Sequence, residues 1–164
     1  MRTAKLVAAA TALFLLAAIA VRADETRLMR FPDIYNNQIV FTYGSNLWIV
    51  SADGGIARQL TTHDGEERYA KFSPDGKYIA FTGEYDGLFN VYLIPSEGGQ
   101  PRQLTFHPSR DRVLGWHPDG KHVLVLSDRE RHAAANSKLY LVSIDGGMPE
   151  PLEIPESGFA TYSP

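Results

Sequence analysis

The groups best suited to nucleophilic, acid–base or metal chemistry in this 164-residue sequence are five histidines, scattered serines and a surplus of carboxylates. There is no cysteine, which excludes a disulfide framework, a Cys-ligated metal and a Cys nucleophile. His63 and His107 each follow Leu-Thr-x and lie 44 residues apart. Asp75 and Asp119 share one turn position, and Ser73, His117 and Ser163 share another. Ser, His and Asp are the elements of a hydrolytic triad. A single active site needs each group once, however, and these groups recur with a repeat. They are therefore read as turn residues. No G-x-S-x-G elbow, H-E-x-x-H pair or G-x-x-x-x-G-K-[ST] loop occurs. The sequence thus nominates no catalytic residue, no cofactor-binding residue and no metal ligand.

The elements that would position such groups are set by the repeat. Phe72-Ser73-Pro74-Asp75-Gly76-Lys77 returns as Trp116-His117-Pro118-Asp119-Gly120-Lys121, and again as Tyr162-Ser163-Pro164, with Phe31-Pro32-Asp33 as a degenerate first copy. Leu47-Trp48-Ile49-Val50 matches Val91-Tyr92-Leu93-Ile94 and Leu139-Tyr140-Leu141-Val142. Asp53-Gly54-Gly55 matches Glu97-Gly98-Gly99 and Asp145-Gly146-Gly147. Arg58-Gln59-Leu60-Thr61 matches Arg102-Gln103-Leu104-Thr105 and, loosely, Glu150-Pro151-Leu152-Glu153. Each unit reads as four short antiparallel strands punctuated by Pro-Asp-Gly and Gly-Gly turns. The Gly-Gly turns lack a following helix, so they are hairpins and not phosphate cradles.

Four strands per ~40–45 residues is the arithmetic of a β-propeller blade. The fold class is therefore all-β, a fragment of about three four-stranded antiparallel blades. Residues 24–66 are blade 1, 67–111 blade 2 and 112–158 blade 3, with 159–164 starting a fourth. Propellers close with about 4–8 blades, so the chain is expected to be the amino-terminal piece of a longer protein. Arg110-Asp111-Arg112 falls between blades and reads as an inter-blade ion pair. Trp48 and Trp116 sit on strands and read as core, and the last strand of blade 2 is expected over Pro101–Thr105.

Residues 1–23 read as a signal peptide. Arg2 and Lys5 supply the positive start, Leu6 to Val21 the apolar region, and Val21-Arg22-Ala23 a cleavage site. An uncleaved anchor is the rival, although 16 apolar residues are short against the ~20 a span needs. Removing this segment takes three basic residues and no acid, moving the net charge from −3 to −6. An acidic, exported domain follows, periplasmic or secreted. A nucleic-acid partner, which calls for a basic surplus, is excluded.

What does not repeat is the loop between the second and third strands of a blade. Blade 2 carries Glu84, Tyr85 and Asp86 there. Blade 3 carries four extra residues and a charged run that includes Arg129, Arg131 and His132. These six are the candidate rim contacts, with a solvated surface loop as the plainer reading.

The F-S-P-D-G-K, I-A-F-T-G, D-G-G and R-Q-L-T series over residues 26–164 resembles the propeller repeat of TolB, the tricorn proteases and the prolyl-oligopeptidase relatives. Arg30-Phe31-Pro32-Asp33-Ile34, Gln38 to Tyr43 and Phe81-Thr82-Gly83-Glu84-Tyr85-Asp86-Gly87 look most like tricorn. That resemblance implies a non-catalytic propeller segment that gates or scaffolds peptide or unfolded-protein substrates. Hydrolysis would belong to a serine endopeptidase region further along, after a second propeller, and the whole protein would self-associate. The alternatives are a TolB-like interaction propeller with no enzyme attached, and a propeller capping an α/β-hydrolase oligopeptidase.

Overall fold

The computed structural model describes residues 28–130, 137–154 and 158–162. The signal-peptide reading of residues 1–23 lies outside them. Every regular element among the described residues is a strand, apart from a single helical residue at Leu28, and no helix is long and apolar enough to cross a membrane.

Three four-stranded antiparallel sheets follow one another, each with its strands in sequence order. The first holds β1 (Arg30–Tyr35), β2 (Gln38–Tyr43), β3 (Asn46–Ser51) and β4 (Arg58–Gln59). The second holds β5 (Glu67–Phe72), β6 (Tyr78–Glu84), β7 (Phe89–Pro95) and β8 (Arg102–Gln103). The third holds β9 (Asp111–Trp116), β10 (His122–Ser127), β11 (Lys138–Ser143) and β12 (Glu150–Pro151). The first blade's turn lacks glycine, and Asn36 takes the left-handed conformation instead, at φ 47°.

The sheets stack face to face because successive side chains on a strand point to opposite faces. Ile79 and Phe81 turn toward the first sheet and join Val40, Leu47, Ile49 and Leu60 in one core layer. Ala80, Val91 and Leu93 turn the other way, onto Val113, Trp116, Val123 and Val125 of the third sheet. The middle sheet is thus apolar on both faces, which accounts for the unbroken runs of β6 and β7. Phe81 and Ile79 are both fully buried, a contribution of about 2 kcal/mol each relative to exposure. Leu114, Leu124 and Leu139 form a third layer against Leu152, Ala160 and Tyr162.

The recurrent R-Q-L-T and Gly-Gly landmarks turn out to be two halves of one joint. The Arg58 guanidinium donates to the carbonyl oxygens of Glu97 (3.2 Å) and Ser96 (3.4 Å) in the turn of the following sheet. Arg102 reaches the Ile144 carbonyl in the same way, one sheet further on. The outer strands are shorter than the sequence suggests, and β8 covers only Arg102–Gln103. The Leu104 N–H still bonds to the Val91 carbonyl at 2.8 Å, but the Val91 N–H is taken by the Thr105 hydroxyl at 2.9 Å. A side chain therefore ends the ladder. Thr61 does the same for the Leu47 N–H at 2.9 Å.

Candidate functional site

β1, β5 and β9 pack successively against one another across the three sheets, so they form the inner wall. Each pairs with its neighbour through a bulge. Two bulge residues are left-handed without being glycine, Phe31 at φ 53° and Tyr69 at φ 55°, a conformation costing about 1–3 kcal/mol. The bulges aim both rings along the wall, where their centroids lie 4.4 Å apart. The Arg112 guanidinium lies over the Tyr69 ring, 4.1 Å from its centroid. Phe31, Pro32, Tyr69, Lys71, Arg112 and Phe159 contribute to a cleft of about 360 Å³ on this wall.

Register exposes a second row. Arg30 pairs with Thr42, Arg68 with Thr82 and Arg112 with Leu126, so one arginine holds the same position on each inner strand. The row lies toward the rim that carries the β6–β7 and β10–β11 loops. Glu66 links two of its members, accepting from Arg30 at 3.2 Å and from Arg68. The hydrogen bond from Arg68 holds the Glu66 carboxyl below its ordinary range against a desolvation that opposes it, with the charges of both arginines adding to the effect. Among the described residues, the Nε–H groups of Arg68 and Arg112 are buried without a hydrogen-bond partner. Arg68, Tyr69, Arg110 and Arg112 line an adjoining cleft of about 280 Å³.

The rim residues separate into different roles. Glu84 lines a cleft of about 390 Å³ with Arg110 and Asp128, and Asp86 is exposed. Tyr85 turns inward, its hydroxyl donating to Glu67 Oε1 at 2.6 Å and its ring lying 3.9 Å from His63 and 4.3 Å from Tyr92. Arg129 donates to Asp111 Oδ2 at 3.0 Å and stacks over Tyr140. Arg131 and His132 lie outside the described residues. The Asp111 carboxylate thus pairs within its own sheet and not across blades, because it is fully buried at the strand start and the Arg129 loop closes over it.

Glu67, at the equivalent start of β5, is fully buried too. Its carboxylate accepts from the Leu47 N–H (2.9 Å), the Thr61 hydroxyl and the Tyr85 hydroxyl. Burial pushes its pKa up, and the hydrogen bonds from Thr61, Tyr85 and Leu47 only partly offset this. His63 and His107 make matching local turns, each accepting through Nδ1 from a backbone N–H two residues on, Gly65 at 2.9 Å and Ser109 at 3.2 Å. Ser73 and Asp75 are likewise bonded to each other within their turn, at 2.7 Å. None of these forms a triad.

On the opposite rim, the β9–β10 turn gathers His117, Asp119 and His122. Asp119 Oδ2 lies 3.0 Å from His117 Nδ1 and 2.7 Å from His122 Nδ1. Desolvation opposes ionisation of Asp119, but the Lys121 N–H and the two imidazoles outweigh it and hold the carboxyl well below its ordinary range. The sequence signal was there as H-x-D-x-x-H. It was obscured by the repeat, which explains Asp119 and the position of His117 as turn chemistry.

A model of the tricorn protease N-terminal beta propeller domain matches residues 26–164, nearly the whole chain. The chain belongs to the tricorn N-terminal propeller family. A tricorn protease homolog of Streptomyces coelicolor is 31% identical over 59 residues, which are 36% of this chain and 6% of that protein. A crystal structure of the tricorn protease superposes with a TM-score of 0.70 at 24% identity, covering 83% of this chain and 14% of that one. TolB from Acinetobacter baumannii superposes at 0.62 with 22% identity, covering 75% and 32%. The chain therefore spans a small fraction of the length of the relatives it matches.

Within this tricorn-type propeller, sequence reasoning missed the arginine row. The recurrence of Arg30, Arg68 and Arg112 was visible as a spacing of 38 and 44 residues. The bulge in each inner strand, which aligns the register, was not.

Proposed function

We propose that this chain is the non-catalytic amino-terminal wall of an exported tricorn-like serine peptidase, guiding peptide or unfolded-protein segments toward a catalytic region supplied elsewhere. The carrying observation is the inner-strand row of Arg30, Arg68 and Arg112 beside the tilted ring pair of Phe31 and Tyr69. Aromatic faces and guanidinium groups accept many side chains and backbones without demanding a sequence. The buried, unpartnered Nε–H groups of Arg68 and Arg112 favour an anionic group, such as a chain-terminal carboxylate. In this reading the partners are a second propeller and a peptidase region, with self-association of the whole protein. Export with cleavage near Ala23 belongs to the same reading and is checked by amino-terminal sequencing of the mature product.

The test is binding of a fluorescent unstructured peptide to the chain, with a free or an amidated carboxy terminus. The free acid should bind more tightly, Arg68→Ala and Arg112→Ala should each weaken it several-fold, and neither peptide should be cleaved. Cleavage by this chain, or indifference to both amidation and the two variants, would sink the reading.

A further inference from the structure

We propose that His117, Asp119 and His122 form a divalent transition-metal site, best suited to Zn²⁺, on the turn between β9 and β10. Their three donor atoms lie within 4.8 Å of one another. All three side chains are about one-third exposed, so an ion can enter from solvent and keep water in its remaining position.

The geometry of the cluster favours a cation. The Asp119 N–H points at His117 Nδ1 over 3.2 Å. The same nitrogen lies 3.0 Å from the Asp119 Oδ2. His117 Nδ1 and His122 Nδ1 thus converge on one carboxylate oxygen, the approach that two imidazoles and a carboxylate make around a single cation. The carboxylate is already oriented for the task. Its Oδ1 accepts from the N–H groups of Lys121 (2.8 Å) and His122 (3.2 Å), which leaves Oδ2 directed at both rings. Such outer hydrogen bonds fix the ligands of metal sites. The His117 ring is further held edge-on to Tyr162, with centroids 4.8 Å apart.

The preceding repeat supplies an internal control. At the equivalent positions it carries Ser73, Asp75 and Tyr78, and there Asp75 Oδ2 pairs with the Lys77 ammonium at 3.1 Å. Blade 3 keeps the aspartate and the lysine but replaces both flanking residues by imidazoles. The blade has no need of these rings, since blade 2 makes the same turn without them. Donors 2.0–2.1 Å from a tetrahedral Zn²⁺ lie about 3.3 Å apart. The present 2.7 and 3.0 Å therefore open by roughly half an ångström on loading. Two imidazoles and one carboxylate suit Zn²⁺ over Mg²⁺ or Ca²⁺, which prefer all-oxygen sets.

The experiment is a calorimetric titration of the chelator-treated full chain with Zn²⁺, alongside imidazole NMR. One Zn²⁺ per chain is expected at this site, with ring signals of His117 and His122 shifting and those of His63 and His107 unmoved. His117→Ser and His122→Tyr install the blade 2 residues and so preserve the turn. Each should weaken binding by at least about 10-fold, while His107→Ala leaves it unchanged. Absence of binding at millimolar Zn²⁺ would overturn the proposal, as would equal binding by both cluster variants. The NMR assignment needs no variant, and shifts confined to His63 or His107 would overturn it independently.

Discussion

Replacing the buried Glu67 offers the sharpest test of how the first two sheets are joined. Glu67→Ala removes an acceptor that serves the Leu47 N–H and the hydroxyls of Thr61 and Tyr85. The Leu47 N–H keeps Thr61 Oγ1 at 2.9 Å, so the stranded donors are the two hydroxyls. Thr61 is 4% exposed, and its unpaired hydroxyl costs about 1–2 kcal/mol. Tyr85 is half-buried and regains water in part, which adds about 1 kcal/mol. The truncated side chain leaves a small void worth about 1 kcal/mol more. The total, about 3–4 kcal/mol, is a drop of roughly 10 °C in Tm for a domain of this size. Glu67→Gln keeps an amide oxygen for Thr61 and Leu47 and sheds the buried charge, so it should cost less than about 1 kcal/mol.

The pH dependence carries a definite sign. Burial raises the folded-state pKa of Glu67 above the ordinary 4.5, so in that window the folded chain holds a proton the unfolded chain has released. This contribution to stability is complete below the ordinary value and is lost as pH rises through the raised one. Wild type should therefore lose ground to Glu67→Gln from about pH 4 upward, with the gap levelling once the folded group has ionised. Thermal unfolding followed by circular dichroism reads it directly. Equal damage from the Gln and Ala variants would refute the reasoning, and so would a flat difference between wild type and Glu67→Gln across that range.

Three further outcomes can be checked. A Cβ on Gly65 would lie 1.9 Å from the Glu84 carbonyl oxygen, so Gly65→Ala should destabilise by at least about 2 kcal/mol in urea unfolding. The Ser73 hydroxyl, helped by the Lys77 N–H and ammonium, holds the Asp75 carboxyl down to about 2. An NMR titration should find that value and see it rise in Ser73→Ala. Arg129→Ala strands the fully buried Asp111 carboxylate, and a loss of about 3–5 kcal/mol is expected in chemical denaturation, with partial recovery in Arg129→Lys.

The architecture was legible because each landmark is a local physical device. Pro-Asp-Gly and Gly-Gly fix turns whatever surrounds them, and β6 and β7 declare a sheet buried on both faces by being apolar without alternation. The site was less legible for a reason the inner strands show. A bulge adds a residue without leaving a sequence signature, and Phe31 and Tyr69 occupy left-handed positions where composition would suggest glycine. Tyr85 illustrates the same limit. It sits in a charged loop, yet its ring joins the aromatic layer, because Glu67 offers its hydroxyl a buried partner. His117 and His122 needed three dimensions for another reason, since only the folded turn brings both Nδ1 atoms to one oxygen.

The forward-reaching arginines bear on how such a chain can change its length. Arg58 grips the turn of the second sheet, and Arg102 grips that of the third. Each unit that carries both landmarks therefore brings a gripping hand and a handle, and the handle is backbone carbonyl, indifferent to side-chain drift. Duplicating such a unit copies a complete joint, so a gene can gain or lose a blade without inventing an interface. In the third unit Glu150 stands at the arginine's position, so that unit carries the handle without the hand.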